Sequence, residues 1–195
     1  MKRVKHLSAL IIFAMWILAV CVAFWWFQVR WISSLDDYTS DAWFDAETLQ
    51  IPAVTQQIGK ITLYHFYDET CPCTKFNTQH VIDVEAKYRS KNVELIVLVP
   101  SKEAIEDARE TFPNAVDVLT TTSQFAPPAS PAVLVTSAEA KPEYIGPWSP
   151  GAVCNGKDED FVSAVVDELI LGKKYEFIRN YAQGCLCPWP ILSLS

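Results

Sequence analysis

Hydrophobic and polar positions divide this chain of 195 residues into an apolar N-terminal segment and a patterned remainder. Residues 9–27 are uniformly apolar, which is about the length that one helix needs to cross a bilayer. The short apolar runs at 61–67 and 93–99 have the composition of buried strands. Three further segments are predicted as helices: 74–89, 102–111 and 158–171.

Two shorter segments complete the predicted sheet. Residues 131–135 form a predicted strand, 137–142 have turn composition, and 143–145 return as the hairpin partner. The predicted order is therefore strand, helix, strand, helix, hairpin and final helix. A strand–helix–strand unit is almost always a right-handed crossover between parallel strands. We therefore expect an α/β sandwich with a mixed sheet.

The N-terminal segment predicts a membrane anchor. Lys2, Arg3 and Lys5 precede the apolar run, and Trp25 and Trp26 lie near its far end. Basic residues before a single span favour a cytoplasmic N-terminus and an exported remainder. A cleaved signal peptide is the alternative, but it would end in small residues where this chain has bulky aromatic ones. An uncleaved anchor is therefore expected.

These patterns divide the chain into four predicted segments. Residues 1–30 form a cytoplasmic tip and a transmembrane anchor, and 31–59 form a juxtamembrane spacer. Residues 60–172 form the α/β domain, and 173–195 form a C-terminal tail. The formal net charge of −7 argues against nucleic-acid binding, which needs a basic face.

Candidate chemistry lies at Cys71-Pro72-Cys73, directly after the predicted strand 61–67. Proline is favoured at the first helical position, so we expect Cys71 to be the N-cap and Cys73 the second helical residue. Backbone N–H groups at a helix N-terminus lower the pKa of a cysteine, which becomes a nucleophile or a metal ligand. We expect this pair at the exposed rim of the sheet. A structural disulfide or simple packing is the alternative.

The cysteine count favours redox chemistry. Five of the six cysteines lie outside the apolar segment, and an odd number leaves at least one thiol unpaired or pairing transiently. A Cys71–Cys73 disulfide, with one residue between the cysteines, would be strained and easily reduced. If the strain prevents that bond, a third thiol must resolve the intermediate.

The strand, the cysteine pair at a helix start and Pro131 at the head of the hairpin together resemble the thioredoxin superfamily. The resemblance covers about residues 60–171. With Cys154 and the terminal Gly-Cys-Leu-Cys-Pro-Trp, the chain is similar more narrowly to uncharacterised membrane-anchored bacterial thioredoxin-like proteins. The resemblance implies a three-layer thioredoxin-like sandwich in which Pro131 is cis and faces the cysteines. Thioredoxins differ in having two residues between their cysteines.

The resemblance also implies roles for other residues. Cys154 follows the last hairpin strand, whose end lies beside the active cysteines in such folds, so it is a candidate resolving thiol. Cys185 and Cys187 follow the final helix, and an extended linker of about 40 Å would let them return as relay thiols. A disulfide clasp on the far side is their alternative. His65 occupies the place of the thioredoxin buried acid, as a proton acceptor or a core histidine.

Together these features predict a thiol–disulfide oxidoreductase or isomerase in the bacterial inner membrane, anchored through residues 9–27 with its domain in the periplasm. Its expected partners are protein thiols or disulfides of the cell envelope. The Cys71 thiolate attacks a substrate disulfide, and Cys73 or Cys154 resolves the mixed disulfide beside Pro131. We assign no cofactor and no resident metal.

Two alternatives remain open. One is a non-catalytic thioredoxin-like module that binds an envelope partner. The other is a copper- or zinc-binding protein resembling a metallochaperone, in which sulfur ligands hold a soft metal. A four-sulfur site could be formed in that case by Cys71, Cys73, Cys185 and Cys187.

Overall fold

The computed structural model describes residues 2–26, 51, 58–122, 124–149, 160–174 and 187–190. The chain divides into two compact units, Met1–Ser40 and Asp41–Ser195. In the first unit, helix α1 spans Lys2–Phe24, and its described large apolar side chains are exposed. Within the described residues, we find no helix that combines the length and the apolarity needed to cross a membrane.

The described part of the second unit is an α/β domain. Its strands are β1 (Ile61–Phe66), β2 (Val93–Val99), β3 (Asp117–Thr120), β4 (Ala129–Ser130), β5 (Ala132–Thr136), β6 (Pro142–Gly146) and β7 (Cys187–Pro188). Its helices are α2 (Pro72–Tyr88), a 3-10 turn (Arg89–Lys91), α3 (Ile105–Thr111) and α4 (Phe161–Ile170).

The main sheet is mixed, as predicted. Its strand order in the described residues is β3-β2-β1-β5-β6. Strands β1, β2 and β3 are parallel, whereas β5 runs antiparallel to both β1 and β6. Phe66 at the end of β1 is opposite Leu98 of β2 and Ala132 of β5. The edge strand β3 was not predicted from the sequence.

The two faces of this sheet are covered differently. One face packs against α2, α3 and α4, with strand residues such as Leu63 and Val97 in the same cluster as Val165 of α4. The opposite face carries Tyr64, Phe66, Ile96, Leu98 and Leu134, which pack with Phe125 and Trp189. These clusters follow from the alternation of side chains along each strand.

Of the predicted three-layer sandwich, the described residues show the sheet and one layer of helices. Helices α2, α3 and α4 all contribute to the cluster on one face. The described residues that cover the other face come from loops and from the C-terminal tail, and no described helix contributes to it. The reason is topological: successive right-handed crossovers from β1 to β2 and from β2 to β3 place α2 and α3 on the same side.

Local signals explain where helix α4 begins and ends. The Asp160 side chain accepts hydrogen bonds from the backbone N–H groups of Val162 and Ser163, which caps the helix start. Gly172, at φ +70°, adopts the left-handed conformation that favours glycine just beyond a helix end. The predicted stop at this glycine is confirmed.

Candidate functional site

The turn after β1 delivers the cysteine pair to the start of α2. The Asp68 side chain accepts hydrogen bonds from the backbone N–H of Thr70 at 2.9 Å and from its hydroxyl at 2.7 Å. The N–H of Cys71 donates to the backbone oxygen of Asp68 at 3.1 Å. Asp68 is buried, so this turn is fixed by satisfied polar contacts.

The predicted placement of the pair on the helix is confirmed. Cys71 is the N-cap residue, with an extended backbone, and Pro72 begins the helix. Cys73 is then the second helical residue, so both cysteines lie at the N-terminus of the helix, where backbone N–H groups lack helical partners. Their partial positive charge stabilises negative charge on sulfur.

Cys71 is bonded to the tail cysteine Cys187 and not to Cys73. The Cys71–Cys187 disulfide joins Cα atoms 5.9 Å apart and closes a sequence separation of 116 residues. The Cys73 sulfur lies 3.9 Å from the Cys187 sulfur and is itself part of a disulfide. The three sulfurs lie within 4.8 Å of one another. Cys154 and Cys185 lie outside the described residues.

The expected exposure of the pair is wrong for this oxidised form. The exposed fraction is 1% for Cys71 and 3% for Cys73. The physical reason is the tail, because Cys187 is bonded directly to Cys71 and its segment pairs with the neighbouring strand β4.

The tail adds a short antiparallel strand to the loop that faces Cys71. In this pairing, Cys187 is opposite Ser130 and Pro188 is opposite Ala129. The backbone N–H of Trp189 donates to the backbone oxygen of Pro128 at 3.1 Å. The tail therefore lies against the loop as an extended peptide, through backbone contacts.

Trp189 fills a pocket on the sheet face that lacks described helices. Its side chain is buried and packs edge-to-face on Phe66, with ring centroids 5.7 Å apart. Its indole N–H donates to the hydroxyl oxygen of Thr121 at 3.3 Å. A buried tryptophan with its N–H satisfied is a well-anchored contact.

The loop before Pro131 holds the helix start and the sheet together. The Ser130–Pro131 peptide bond is cis, which confirms the expected isomer. The Ser130 hydroxyl donates to the backbone oxygen of Phe66 at 3.2 Å and accepts from the Thr74 hydroxyl, whose oxygen lies 3.1 Å away. The Cys71 sulfur lies 3.7 Å from the carbonyl oxygen of Ser130. This loop therefore faces Cys71, and a catalytic role for Pro131 stays a prediction.

His65 has the contacts of a core histidine. The Trp148 indole N–H donates to His65 Nδ1 at 3.0 Å, so the ring proton is on Nε2. The backbone oxygen of Ala132, 3.3 Å from Nδ1, is then a contact and not an acceptor. The ring also packs edge-on against Phe112. Burial lowers the pKa of His65 from 6.5 to about 3. So weak a base is poorly suited to accept a proton from a thiol, and its predicted role is not supported by these contacts.

Comparison with known proteins places this architecture in a family. A family model described as a domain of unknown function, DUF6436, matches residues 40–189. The chain belongs to the DUF6436 family. The matched DUF6436 region includes the cysteine pair, the Pro131 loop and the tail through Trp189. No curated protein is similar enough to give a match.

Two solved structures share the fold of this DUF6436 domain. A hypothetical protein of Sinorhizobium meliloti is 17% identical, with a TM-score of 0.57 over 74% of this chain and 88% of that protein. An uncharacterised protein of Geobacillus kaustophilus is also 17% identical, with a TM-score of 0.57 over 71% and 82%. A candidate thioredoxin of Neisseria meningitidis is 16% identical, with a TM-score of 0.49 over 65% and 84%. At these identities the likeness concerns the fold alone.

Sequence reasoning missed several residues that shape the site. Ser130, Thr121 and the pairing of Trp189 were not singled out, and neither was Trp148 beside His65. One signal was present in the tail, where cysteine and tryptophan stand two residues apart and so share a face in an extended segment.

Proposed function

We propose that this chain is a membrane-anchored thiol–disulfide oxidoreductase or isomerase of the bacterial cell envelope. The observation that carries the proposal is the disulfide between the helix-capping Cys71 and Cys187, with the Cys73 sulfur 3.9 Å from Cys187. The Cys187 sulfur can therefore exchange between two partners, Cys71 and Cys73. The thioredoxin-like fold supports such chemistry.

The geometry supports an internal exchange step. A protein thiolate of the envelope first attacks the sulfur that is bonded to Cys73, so a mixed disulfide forms there and Cys73 leaves as a thiolate. That thiolate attacks the Cys187 sulfur, so a Cys73–Cys187 disulfide forms as the Cys71–Cys187 bond breaks. Cys71 leaves as a thiolate, and the electron pair of the broken bond stays on its sulfur. The N-terminal N–H groups of α2 stabilise that thiolate, which then attacks a substrate disulfide. Because Cys71 attacks as a thiolate, this step needs no proton acceptor. His65 is therefore given no role in it.

The cellular setting is proposed from the sequence. The apolar run 9–27, with its basic flank, supports an inner-membrane anchor and a periplasmic domain. The periplasm is an oxidising compartment in which disulfides persist. Protein thiols and disulfides of the envelope are the proposed partners, and Cys154 and Cys185 are proposed as further relay thiols.

Disulfide exchange by single-cysteine variants tests the proposal. We expect Cys71→Ser to abolish reduction of insulin disulfides and mixed-disulfide trapping, because it removes the attacking sulfur. Cys73→Ser should retain trapping and lose turnover. Cys21→Ser is the matched control, since Cys21 is an exposed free cysteine of α1. Full activity of Cys71→Ser would refute the assignment.

A second candidate function is binding of a soft metal as cargo. The sulfurs of Cys71, Cys73 and Cys187 lie within 4.8 Å of one another, so reduction would leave three thiolates close enough to share one ion. Metal analysis of protein reduced and exposed to Cu(I) or Zn²⁺ tests this function. Stoichiometric metal that is lost in Cys187→Ser would support it, and absence of metal would exclude it.

A further inference from the structure

The tail occupies a groove whose shape indicates what else can bind there. The groove lies between the Cys71 end of α2, strand β4 and the pocket that holds Trp189. We propose that this groove binds extended polypeptide segments in which a cysteine is followed, two residues later, by a tryptophan. The tail at 187–190 is the occupant supplied by the chain itself. This inference rests on the proposed exchange chemistry of Cys71 and names its substrate class.

Backbone contacts make the groove a peptide site. Ser130 and Ala129 pair with the tail as an antiparallel strand, and the Pro128 oxygen accepts the Trp189 N–H. Contacts of this kind do not depend on the side chains of the guest. Any extended segment can therefore replace the tail in the same register, with its cysteine opposite Ser130.

Side-chain burial assigns selectivity to one position. Trp189 is 4% exposed, whereas Pro188 and Pro190 on either side are exposed. In an extended strand, residues two apart point to the same side, so the cysteine and the tryptophan both face the protein. The residue between them faces solvent and is not selected.

The pocket has the chemistry to recognise an indole. Phe66 and Phe125, both buried, form part of the apolar cluster around Trp189. The Thr121 hydroxyl oxygen accepts the indole N–H and lies 3.4 Å from the backbone oxygen of Val99. A smaller side chain would leave the apolar wall and the hydroxyl without these contacts.

The exchange step balances without an added oxidant or reductant. The Cys71 thiolate attacks the peptide sulfur of a peptide–glutathione disulfide. A Cys71–peptide disulfide forms, the sulfur–sulfur bond to glutathione breaks, and glutathione leaves as a thiolate. At equal concentrations of two such peptides, the ratio of their adducts at equilibrium measures the selectivity of the groove.

The test uses the full-length chain with Cys73→Ser and Cys187→Ser. Trypsin cleaves after Lys60 and Lys75, and Cys71 is then the only cysteine in fragment 61–75. Two peptides spanning residues 184–191, with Cys185 replaced by serine, compete as glutathione disulfides. One retains tryptophan and the other carries Trp189→Ala. We expect the tryptophan peptide to exceed the alanine peptide at least tenfold in adducts on Cys71, as measured by mass spectrometry.

A second protein carries Trp189→Ala in addition to Cys73→Ser and Cys187→Ser. Its own tail then leaves the indole pocket empty. Its adduct with the tryptophan peptide should rise several-fold, since the competing side chain is gone. If this variant does not fold, the ratio of tryptophan-peptide to alanine-peptide adducts in the first protein still tests the selectivity of the groove. Equal adducts of the two peptides would overturn the inference while leaving the exchange chemistry intact. If Cys71 reacts with neither the peptides nor glutathione, the proposed function itself fails.

Discussion

The two faces of the sheet in this DUF6436 domain are held in different ways. On one face, Leu63, Val97 and Val165 pack within a cluster shared by helices α2, α3 and α4. On the other face, Phe66 packs with Trp189, a residue of the tail that is tied to Cys71 through Cys187. The first face is closed by continuous helices, whereas the second is closed in part by a segment whose attachment is a reducible bond.

From this difference we expect burial on the tail-covered face to be more sensitive to reduction than burial on the helix-covered face. The described cluster on the helix-covered face contains no cysteine, although α2 carries Cys71 at its N-cap and Cys73 in its first turn, both in disulfides. On the tail-covered face, reduction removes the covalent link, and a two-residue strand then holds the tail with the Trp189 contacts. We therefore expect reduction to weaken the cover of Cys71 on this face.

The largest expected effect is a difference between the two faces in how substitutions change the free energy of unfolding. Leu63→Ala should cost about 2–5 kcal/mol in the free energy of unfolding, in oxidised and in reduced protein alike, because the cavity lies under helices. Trp189→Ala should cost about 3–5 kcal/mol in oxidised protein and clearly less after reduction. Urea unfolding with and without a reductant measures both. An equal cost of Trp189→Ala in the two states would show that the tail stays bound without its disulfide.

An intermediate effect concerns pH on the helix-covered face. His65 is neutral in the fold, where burial lowers its pKa from 6.5 to about 3. Between these values the unfolded chain binds the additional proton, so stability is full above pH 6.5 and falls as the pH drops towards 3. The expected slope is at most about 1.4 kcal/mol per pH unit. Urea unfolding should show a shallower pH slope in His65→Asn, and identical slopes would contradict a neutral, buried His65.

The smallest effect concerns the loop between the two faces. Ser130→Ala removes the hydroxyl that donates to the Phe66 oxygen and accepts from Thr74. We expect a loss of about 1–2 kcal/mol in stability, since two buried polar groups lose a partner. Thr74→Val, which removes only one of these bonds, should cost less. Thermal unfolding of both variants checks the order, and a harmless Ser130→Ala would show that this link does not stabilise the loop.

Local signals allowed much of the fold to be predicted. The predicted bounds of β2 agree with the structure, because a run that is apolar except at Glu94 and is bounded by Pro100 defines it. Pro72 likewise fixed the start of α2. Strand β3 was missed because it is short, lies at the sheet edge and exposes Asp117, so it lacks the apolar run of a central strand.

The candidate site could be predicted only in part. Cys71, Cys73 and the Pro131 loop were recognisable, since each belongs to a local pattern near one end of the sheet. The partner of Cys71 remained open between nearby and distant thiols, because a pairing across 116 residues leaves no local trace. Strand β7 has only two residues and forms through its pairing with β4. It is too short to show a periodic pattern of hydrophobic residues, so it could not be predicted from the sequence.

The most direct test of the central claim is the disulfide pairing of Cys71 in protein trapped from cells. The account predicts that a Cys73→Ser, Cys185→Ser variant yields fragment 61–75 covalently joined to fragment 180–195, which fixes the link as Cys71–Cys187. Alkylation of both cysteines as free thiols under oxidising conditions, or a Cys71–Cys73 disulfide within fragment 61–75 of the unmodified chain, would contradict it.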